Sequence, residues 1–290
     1  CSLLDEATAA AEAATMMYGL RSRDQQKKGT NVLFVDESIF PQNLAVIQTR
    51  VIPQGMKIQV GNYKELEFTP EIFACIIQYP NASGSVEDYR EFVEKAHAAN
   101  CKVAVDADIL SLALLLPPGE WGADIVFGST QRLGIPLFYG GPSAAYFATR
   151  DEYKRNMPGR IIGLSKDKYG KICYRMALQT REQHIKREKA TSNICTAQAL
   201  LATMAGFYAV YHGQEGIKNI AKRIHSIATW LNKALARLGY VQHNEIFFDT
   251  LRFSLPDHVS AQKLRTIALS KEVNLCYYDN GDVGFSIDET

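Results

Sequence analysis

The stretch Val126–Thr149, VFGSTQRLGIPLFYGGPSAAYFAT, predicts the fold of the surrounding chain. An apolar strand, Ala123–Phe127, leads into it, and a second strand, Ala144–Thr149, closes it. Between them lies the glycine- and proline-rich loop Gly134–Pro142, and glycines after a strand let the backbone approach a ligand or another chain. The polar side chains that follow the first strand lie where open α/β sheets place their ligands. A structural hairpin is the alternative interpretation of the glycine cluster taken alone.

Strands that alternate with helices predict an α/β fold with a mostly parallel sheet and helices on both faces. The predicted helices are Leu4–Leu20, Pro41–Val51, Ser85–Ala99, Ile109–Leu116, Arg150–Asn156, Ile217–Leu238 and Ser260–Leu269. The other predicted strands are Asn31–Asp36, Lys57–Val60, Phe73–Tyr79, Val103–Val105, Phe247–Leu255, Val273–Tyr278 and Val283–Ile287. Ser85 and Asp88 resemble a capping box at the start of their helix. Residues 1–195 are predicted to form a large domain, and residues 196–290 linking helices and a small α/β domain.

Composition is that of an ordinary globular protein. The chain has 290 residues, of which 47% are hydrophobic and 22% charged, and its formal net charge is +1. It therefore has no basic excess of the kind that nucleic-acid binding needs. Residues Ile194–Tyr211 carry no formal charge and approach the length of a membrane span, but polar residues and alanines within them favour a buried helix instead.

The scattered cysteines and histidines give no metal-site signal. Six cysteines without a CxxC pair predict free, buried thiols and a reducing compartment. The six histidines show no metal-ligand spacing. Because the chain lacks an initiator methionine and begins within a helical pattern, we expect it to be part of a longer polypeptide.

Four segments together resemble the glycine decarboxylase P-protein of the glycine cleavage system. They are Ser2–Ala13 (SLLDEATAAAEA), Pro117–Trp121 (PPGEW), Gly128–Pro142 and Tyr174–Leu201. The resemblance extends over essentially the whole chain, which is similar to the amino-terminal one of two related halves. It implies the fold of fold-type-I pyridoxal-phosphate enzymes, with a large domain and a small carboxy-terminal α/β domain.

The resemblance also implies that the cofactor, pyridoxal 5′-phosphate, is bound mainly by the other half. In that half, the loop equivalent to Gly128–Pro142 carries the lysine that forms the Schiff base, and Gln131 takes its place here. An amide cannot form an imine with the cofactor aldehyde. Ser2–Glu6, which matches a glycine-rich phosphate cup, contains no glycine. We therefore expect this chain to supply neither a catalytic residue nor a metal ligand.

Residues that follow Tyr174 carry the family's signature. By resemblance, Thr191, Ser192 and Asn193 are expected to reach the phosphate of a cofactor bound by the partner, since hydroxyl and amide groups suit that role. Arg181 and His184 share a helical face and are expected to line the substrate channel. The alternative for this face is a solvated, salt-bridged helix.

Two aspartates follow the strand Val103–Val105. Asp106 aligns with the residue that contacts the pyridine nitrogen in the cofactor-bearing half. Asp108 is the acid expected in amino-terminal halves, and we assign it to the substrate channel. The alternative for Asp108 is that it caps the helix predicted from Ile109.

The implied reaction is the decarboxylation of glycine, with transfer of the aminomethyl group to the lipoyl arm of the carrier H-protein. This chain would pack against the carboxy-terminal catalytic half or subunit, in a dimer of halves or subunits, and would be inactive alone. Its compartment would be the cytoplasm of a bacterium or the mitochondrial matrix of a eukaryote. A non-catalytic assembly or regulatory partner is the alternative from another class. An independent pyridoxal-phosphate enzyme that uses Lys189, Lys166 or Lys171 is a third.

Overall fold

The computed structural model describes residues 1–158, 161–177, 190, 192, 194 and 198–289. The chain divides into two compact units. Unit 1 consists of Cys1–Gln78, Tyr89–Ile109 and Leu116–Tyr211, and unit 2 of Tyr79–Asp88, Leu110–Leu115 and His212–Thr290.

A seven-stranded sheet carries the fold of unit 1. Its strands are β1 (Ser2–Leu3), β2 (Val32–Asp36), β3 (Lys57–Gly61), β4 (Ile72–Tyr79), β5 (Lys102–Ala107), β6 (Ile125–Ser129) and β7 (Ala145–Thr149), in the order β1-β7-β6-β5-β4-β2-β3. Strand β2 is parallel to β3 and β4, and β5 is parallel to β6. Strand β7 is antiparallel to both of its neighbours. The predicted mostly parallel sheet is therefore confirmed.

Helices cover both faces of this sheet. They are α1 (Glu6–Gly19), α2 (Arg23–Lys27), α3 (Pro41–Val51) and α4 (Arg90–Ala98). Leu33 and Val35 of β2 lie in the core cluster that holds residues of α1 and α3. Phe34, between them, points to the other face and meets Phe92 of α4 with ring centroids 6.5 Å apart. A strand buried on both faces is a nearly continuous apolar run, as β2 is up to Asp36 and β4 is up to Gln78.

The alanine-rich sequence of α1 suits a helix packed closely against the sheet. Ala9, Ala10 and Ala13 are fully buried, and alanine has the highest helix propensity. The helix begins where Asp5 caps it, with the Thr8 N–H donating to Asp5 Oδ1 at 2.7 Å.

The helix predicted from Ser85 begins instead at Arg90, and the predicted capping box is wrong. Ser85 forms an isolated antiparallel bridge with Phe247 in unit 2. The side chain of Asn81 also accepts hydrogen bonds from the N–H groups of Ser83 and Ser85. The backbone of Ser85 thus takes part in a turn and in a long-range strand pairing, so Ser85 does not belong to helix α4.

The helix predicted for Ile109–Leu116 is also wrong. Only Ser111–Ala113 forms a single 3-10 turn, with Leu110 at its N-cap position. Leu110 is fully buried and packs with Ala221, Ile224 and Phe248 in a core cluster of unit 2. Because tertiary packing fixes this apolar segment, its local helix propensity does not decide its structure.

The rest of the chain follows the predicted order. A 3-10 helix, Asp151–Asn156, precedes a two-stranded hairpin, β8 (Ile162–Lys166) and β9 (Ile172–Met176). Helix α5 runs over Ala199–Arg237 and has non-helical backbone angles at Gly213. Its first part is not the fully buried helix predicted: Leu201 and Ala205 are buried, whereas Leu200, Phe207, Val210 and Tyr211 are exposed.

Unit 2 contains a four-stranded sheet. Its strands are β10 (Val241–Gln242), β11 (Thr250–Ser254), β12 (Cys276–Tyr277) and β13 (Val283–Ser286), in the order β10-β11-β13-β12, and helix α6 spans Ala261–Ser270. Leu251 and Phe253 of β11 pack against Ala228 of α5 in the core of this unit. A turn at Asn280–Gly281 joins β12 and β13, and the Gly281 N–H donates to the Tyr278 carbonyl there at 2.9 Å.

Among the described residues, no helix combines the length and the apolar character that a membrane crossing requires. The cysteines within the described part of the chain are free thiols. Cys75 and Cys101 are buried as predicted, whereas Cys276 is exposed. Burial raises the pKa of Cys101 to about 12.

Candidate functional site

The candidate site lies where β5 and β6 end. An ideal Cβ on Gly128 of β6 would lie 2.2 Å from the Ala107 carbonyl oxygen and 3.0 Å from the Tyr146 ring. Only glycine therefore allows β6 to pass the end of β5 at this distance. At Gly128 the close approach is to the backbone of β5 within the same chain.

An amide links two carboxyl groups at this point. Asn43 Nδ2 donates to Glu6 Oε1 at 2.7 Å and to Asp106 Oδ2, also at 2.7 Å. The Ser129 N–H donates to the other Glu6 oxygen at 3.1 Å. Three helices and strands, α1, α3 and β5, are thus joined with the end of β6 through one buried polar cluster.

Burial sets the protonation of this cluster. Asp106 is only 2% exposed, and burial, followed by the nearby charge of Glu6, raises its pKa well above the usual range. Burial also raises the pKa of Glu6, against the hydrogen bonds from Asn43 and Ser129. The cluster therefore retains protons at a pH at which ordinary carboxyl groups have lost them.

The aspartate assigned to the channel lies beside an arginine. Arg132 Nη1 is 3.3 Å from Asp108 Oδ2, and both side chains are largely buried. Asp108 is not at the N-cap of the short 3-10 turn, which is Leu110. The helix from Ile109 that Asp108 was expected to cap does not form. Nearby, the Tyr146 hydroxyl donates to the Ala107 carbonyl at 2.8 Å.

Gln131 lies on the surface of the loop that leaves β6. Its side chain is exposed, and its N–H donates to Ser129 Oγ at 3.1 Å. Ile135 and Ala144 anchor the loop to Leu201 and Ala205 of α5. The sequence has no lysine between Lys102, at the start of β5, and Lys154. No amine from this stretch can therefore lie at the end of β5.

The amino-terminal residues form a sheet edge and a helix cap. Ser2 and Leu3 pair with Tyr146 and Ala145 of β7, and Leu3 is fully buried. Asp5 then accepts hydrogen bonds from both the N–H and the hydroxyl of Thr8, each at 2.7 Å. A carboxylate thus occupies the end of α1 at which a helix favours an anion.

Several predicted site residues lie outside the described part of the chain. These are Arg181, His184, Thr191 and Asn193, together with the alternative lysine Lys189. Ser192 is described: it hydrogen-bonds to Glu12, and its Oγ accepts from the Ile194 N–H at 3.1 Å.

Sequence reasoning missed Glu6, Asn43 and Glu12. Glu12 is 2% exposed and pairs with Arg50 at 2.6 Å, and burial raises its pKa. The sequence did offer a signal for Glu12, because it is an acid within the alanine-rich stretch of α1. A carboxyl group buried at such a position needs a charged or hydrogen-bonding partner. No group of three or more histidine, cysteine, aspartate or glutamate residues in the described ranges could hold a metal ion.

The family model for the glycine cleavage system P-protein matches residues 1–290. The chain belongs to this family. Glycine dehydrogenase (decarboxylating) from Bacteroides fragilis strain ATCC 25285 is 79% identical over 100% of the chain, and the match covers 31% of that P-protein relative. The enzyme of the same name from Nostoc sp. strain PCC 7120 is 54% identical, with 29% of its length covered. The chain thus spans less than a third of these two relatives.

Solved structures support the same family and fold. Glycine decarboxylase (P-protein) of the glycine cleavage system, solved in an inhibitor-bound form, matches with a TM-score of 0.87 and 30% identity. That match covers 99% of this chain and 67% of the solved chain. A cysteine desulfurase from Thermococcus onnurineus NA1 matches with a TM-score of 0.65 at 14% identity and shows the fold alone. The predicted fold-type-I class is confirmed.

Proposed function

We propose that this chain is the part of a glycine decarboxylase that does not form the Schiff base. The complete enzyme would decarboxylate glycine on pyridoxal 5′-phosphate and transfer the aminomethyl group to the lipoyl arm of H-protein. Membership of the P-protein family supports the reaction. The relatives' greater length supports a partner polypeptide, the carboxy-terminal half, as the holder of the cofactor.

The acidic end of α1 is the observation on which this division of roles rests. The residues here do not fit pyridoxal phosphate, because a phosphate would meet the carboxylate of Asp5 at the helix end and the backbone of a buried strand at Leu3. Asp106, which would face the pyridine nitrogen, is instead bonded to Asn43. At the loop, Gln131 offers no amine. We derive no catalytic step through the cofactor in this chain.

This chain would line part of the active site of its partner. Thr191, Ser192 and Asn193 would contact the cofactor phosphate of the partner, and Arg181, His184 and Asp108 would line the substrate channel. The Arg132–Asp108 pair holds that carboxylate in place at the loop. We propose domains of residues 1–195 and 196–290 and a dimer of halves or subunits. Because the relatives named above are bacterial, we propose the cytoplasm as the compartment.

Reconstitution tests this assignment. The chain would be co-expressed with the remaining part of the Bacteroides fragilis relative, reduced with borohydride in the presence of pyridoxal phosphate, and mapped by mass spectrometry. We expect the pyridoxyl adduct on the partner polypeptide alone, and release of labelled carbon dioxide from carboxyl-labelled glycine only by the pair. A single stoichiometric adduct on this chain would contradict the assignment.

The assembly-partner alternative predicts a different result for the signature residues. In the reconstituted pair, Thr191→Ala with Ser192→Ala should weaken cofactor retention, measured by dialysis, if these residues contact the phosphate. Ser226→Ala serves as the control, because Ser226 Oγ donates to the Lys222 carbonyl within its own helix. Unchanged retention and turnover, with only a lower melting temperature, would favour the assembly role.

A further inference from the structure

The β8–β9 hairpin of unit 1 has its apolar side chains on its exposed face. Leu164 pairs with Tyr174, and Ile162 with Met176, so these residues share one face. Leu164, Ile172 and Tyr174 are 72%, 75% and 78% exposed. Gly163, Ser165 and Cys173, on the opposite face, are half-buried. The usual arrangement of a surface hairpin, with small and polar residues outward, is therefore reversed.

This reversal indicates an interaction surface. A two-stranded hairpin is marginally stable unless further structure packs on it. Contiguous exposed apolar side chains mark protein or membrane contacts far more often than scattered ones do. The exposed apolar residues here are contiguous. Leu164 and Tyr174 are cross-strand partners, and Ile172 lies two positions before Tyr174 on the same face of β9.

The charge of the hairpin limits which molecule can bind its apolar face. Four cations lie on it, at Lys166, Lys168, Lys171 and Arg175, whereas the whole chain has a net charge of only +1. The single acid, Asp167, accepts hydrogen bonds from the N–H groups of Tyr169 and Lys171 within the turn. Lys166 shares the apolar face because it pairs with Ile172, whereas Arg175 pairs with Gly163 on the other face. Two copies of the hairpin that meet through their apolar faces would bring their Lys166 side chains together, which opposes self-association through this face.

We propose that the hairpin Ile162–Met176 docks its apolar face on the part of the P-protein polypeptide that lies outside this chain, at an apolar patch rimmed by carboxylates. The inference rests on the proposed function, in which that polypeptide is the partner. Relatives 79% identical to this chain match it over only 31% of their length, so the family supplies a long additional polypeptide to receive the hairpin.

The test is the affinity between this chain and the remaining part of the Bacteroides fragilis relative, measured by titration calorimetry. The test variant is Leu164→Thr with Tyr174→Thr, because threonine keeps strand propensity while removing the apolar surface. Val241→Thr is the matched control, since Val241 is a 62% exposed strand residue of unit 2. Far-ultraviolet circular dichroism and melting temperature establish that each variant folds.

We expect the double variant to bind about tenfold more weakly or worse, and Val241→Thr to bind as the wild type does. Lys166→Glu should weaken binding as well, and more so at low salt. Unchanged affinity of the double variant, with wild-type binding intact, would overturn the docking site and leave the proposed function standing. No binding by the wild type would overturn both. Loss of self-association, or of pelleting with anionic vesicles, without loss of partner binding would assign the face to a second copy or to a membrane and overturn the proposal.

Discussion

Asn43 Nδ2 lies 2.7 Å from Asp106 Oδ2, and the same amide nitrogen contacts Glu6. This relationship ties α3 to the end of β5 through a carboxyl group whose pKa is raised by burial. The resemblance implies that an acid at the end of this strand contacts the cofactor ring in the other half, whereas Asp106 here accepts a hydrogen bond from Asn43 within the chain.

The first prediction concerns pH. Burial raises the folded-state pKa of Asp106 above its unfolded value of about 3.9. The folded chain thus holds a proton that the unfolded chain releases, so the stability from Asp106 is complete below about pH 3.9 and is lost as the pH rises towards the raised pKa. Asp106→Asn should remove this loss of stability, so its melting temperature should vary less than that of the wild type between pH 4 and 8.

Thermal unfolding followed by circular dichroism over that pH range measures this effect. Asp151→Asn is the control, because the Asp151 side chain is 87% exposed. Equal pH slopes for wild type and Asp106→Asn would show that Asp106 ionises normally in the folded chain. A residual slope in the variant is expected, since the pKa of Glu6 is raised as well.

The second prediction concerns the glycine at the end of β6. Gly128→Ala should destabilise the chain by about 1–3 kcal/mol or more, because the new Cβ would meet the Ala107 carbonyl at 2.2 Å. Gly206→Ala in α5 should stabilise it by about 0.5–1 kcal/mol, since nothing lies within 4 Å of that Cβ. Urea midpoints measure both changes. The prediction fails if the two substitutions shift the midpoint in the same direction.

The third prediction concerns Gln131. Gln131→Lys places an amine at the loop position that the resemblance assigns to the Schiff base, but it leaves the Asp5 cap and the buried Leu3 unchanged. Because the Asp5 carboxylate already occupies the end of α1 where a phosphate would bind, we expect no stoichiometric pyridoxyl adduct after borohydride reduction, as judged by intact mass. An adduct specific to residue 131 would mean that the missing amine was the one defect.

The fourth prediction concerns unit 2. Burial alone would raise the pKa of Asp282, but hydrogen bonds from Asn280, Ser254 and Arg252 outweigh it and hold the pKa at about 2. Stability from Asp282 is therefore present above its unfolded pKa of about 3.9 and is lost as the pH falls through about 2. Asp282→Asn should cost roughly 2 kcal/mol at pH 7, with the difference shrinking towards pH 2.

Urea denaturation at pH 7 and at pH 3 measures the effect of Asp282. Asp279→Asn is a matched control, because Asp279 is exposed in the same turn region. A difference between wild type and Asp282→Asn that does not change with pH would indicate that the substitution acts through packing and not through the charge.

Sequence patterns predicted the helices and strands in which the spacing of apolar residues directly reflects which side chains are buried. The strand before Gly128 and the helix from Pro41 are confirmed because their periodicity and end residues agree with their packing.

The errors and omissions have a common physical cause, which is contact between residues distant in the chain. Ser85 pairs with Phe247, so its local capping pattern is not used. Asn43 and Asp106 are 63 positions apart, and only the strand order brings them together. Glu12 could have been flagged as a buried acid, but its partner Arg50 lies on another helix.

The Asp5 cap has a consequence for competition between anions. A carboxylate one residue from the helix it caps is intramolecular, so its local concentration is on the order of millimolar or above and cannot be diluted. Any dissolved phosphate compound would have to displace a tethered competitor that also bonds the Thr8 hydroxyl. The Asp5 carboxylate thus occupies this helix end because it is covalently attached, whatever anions the surrounding solution contains.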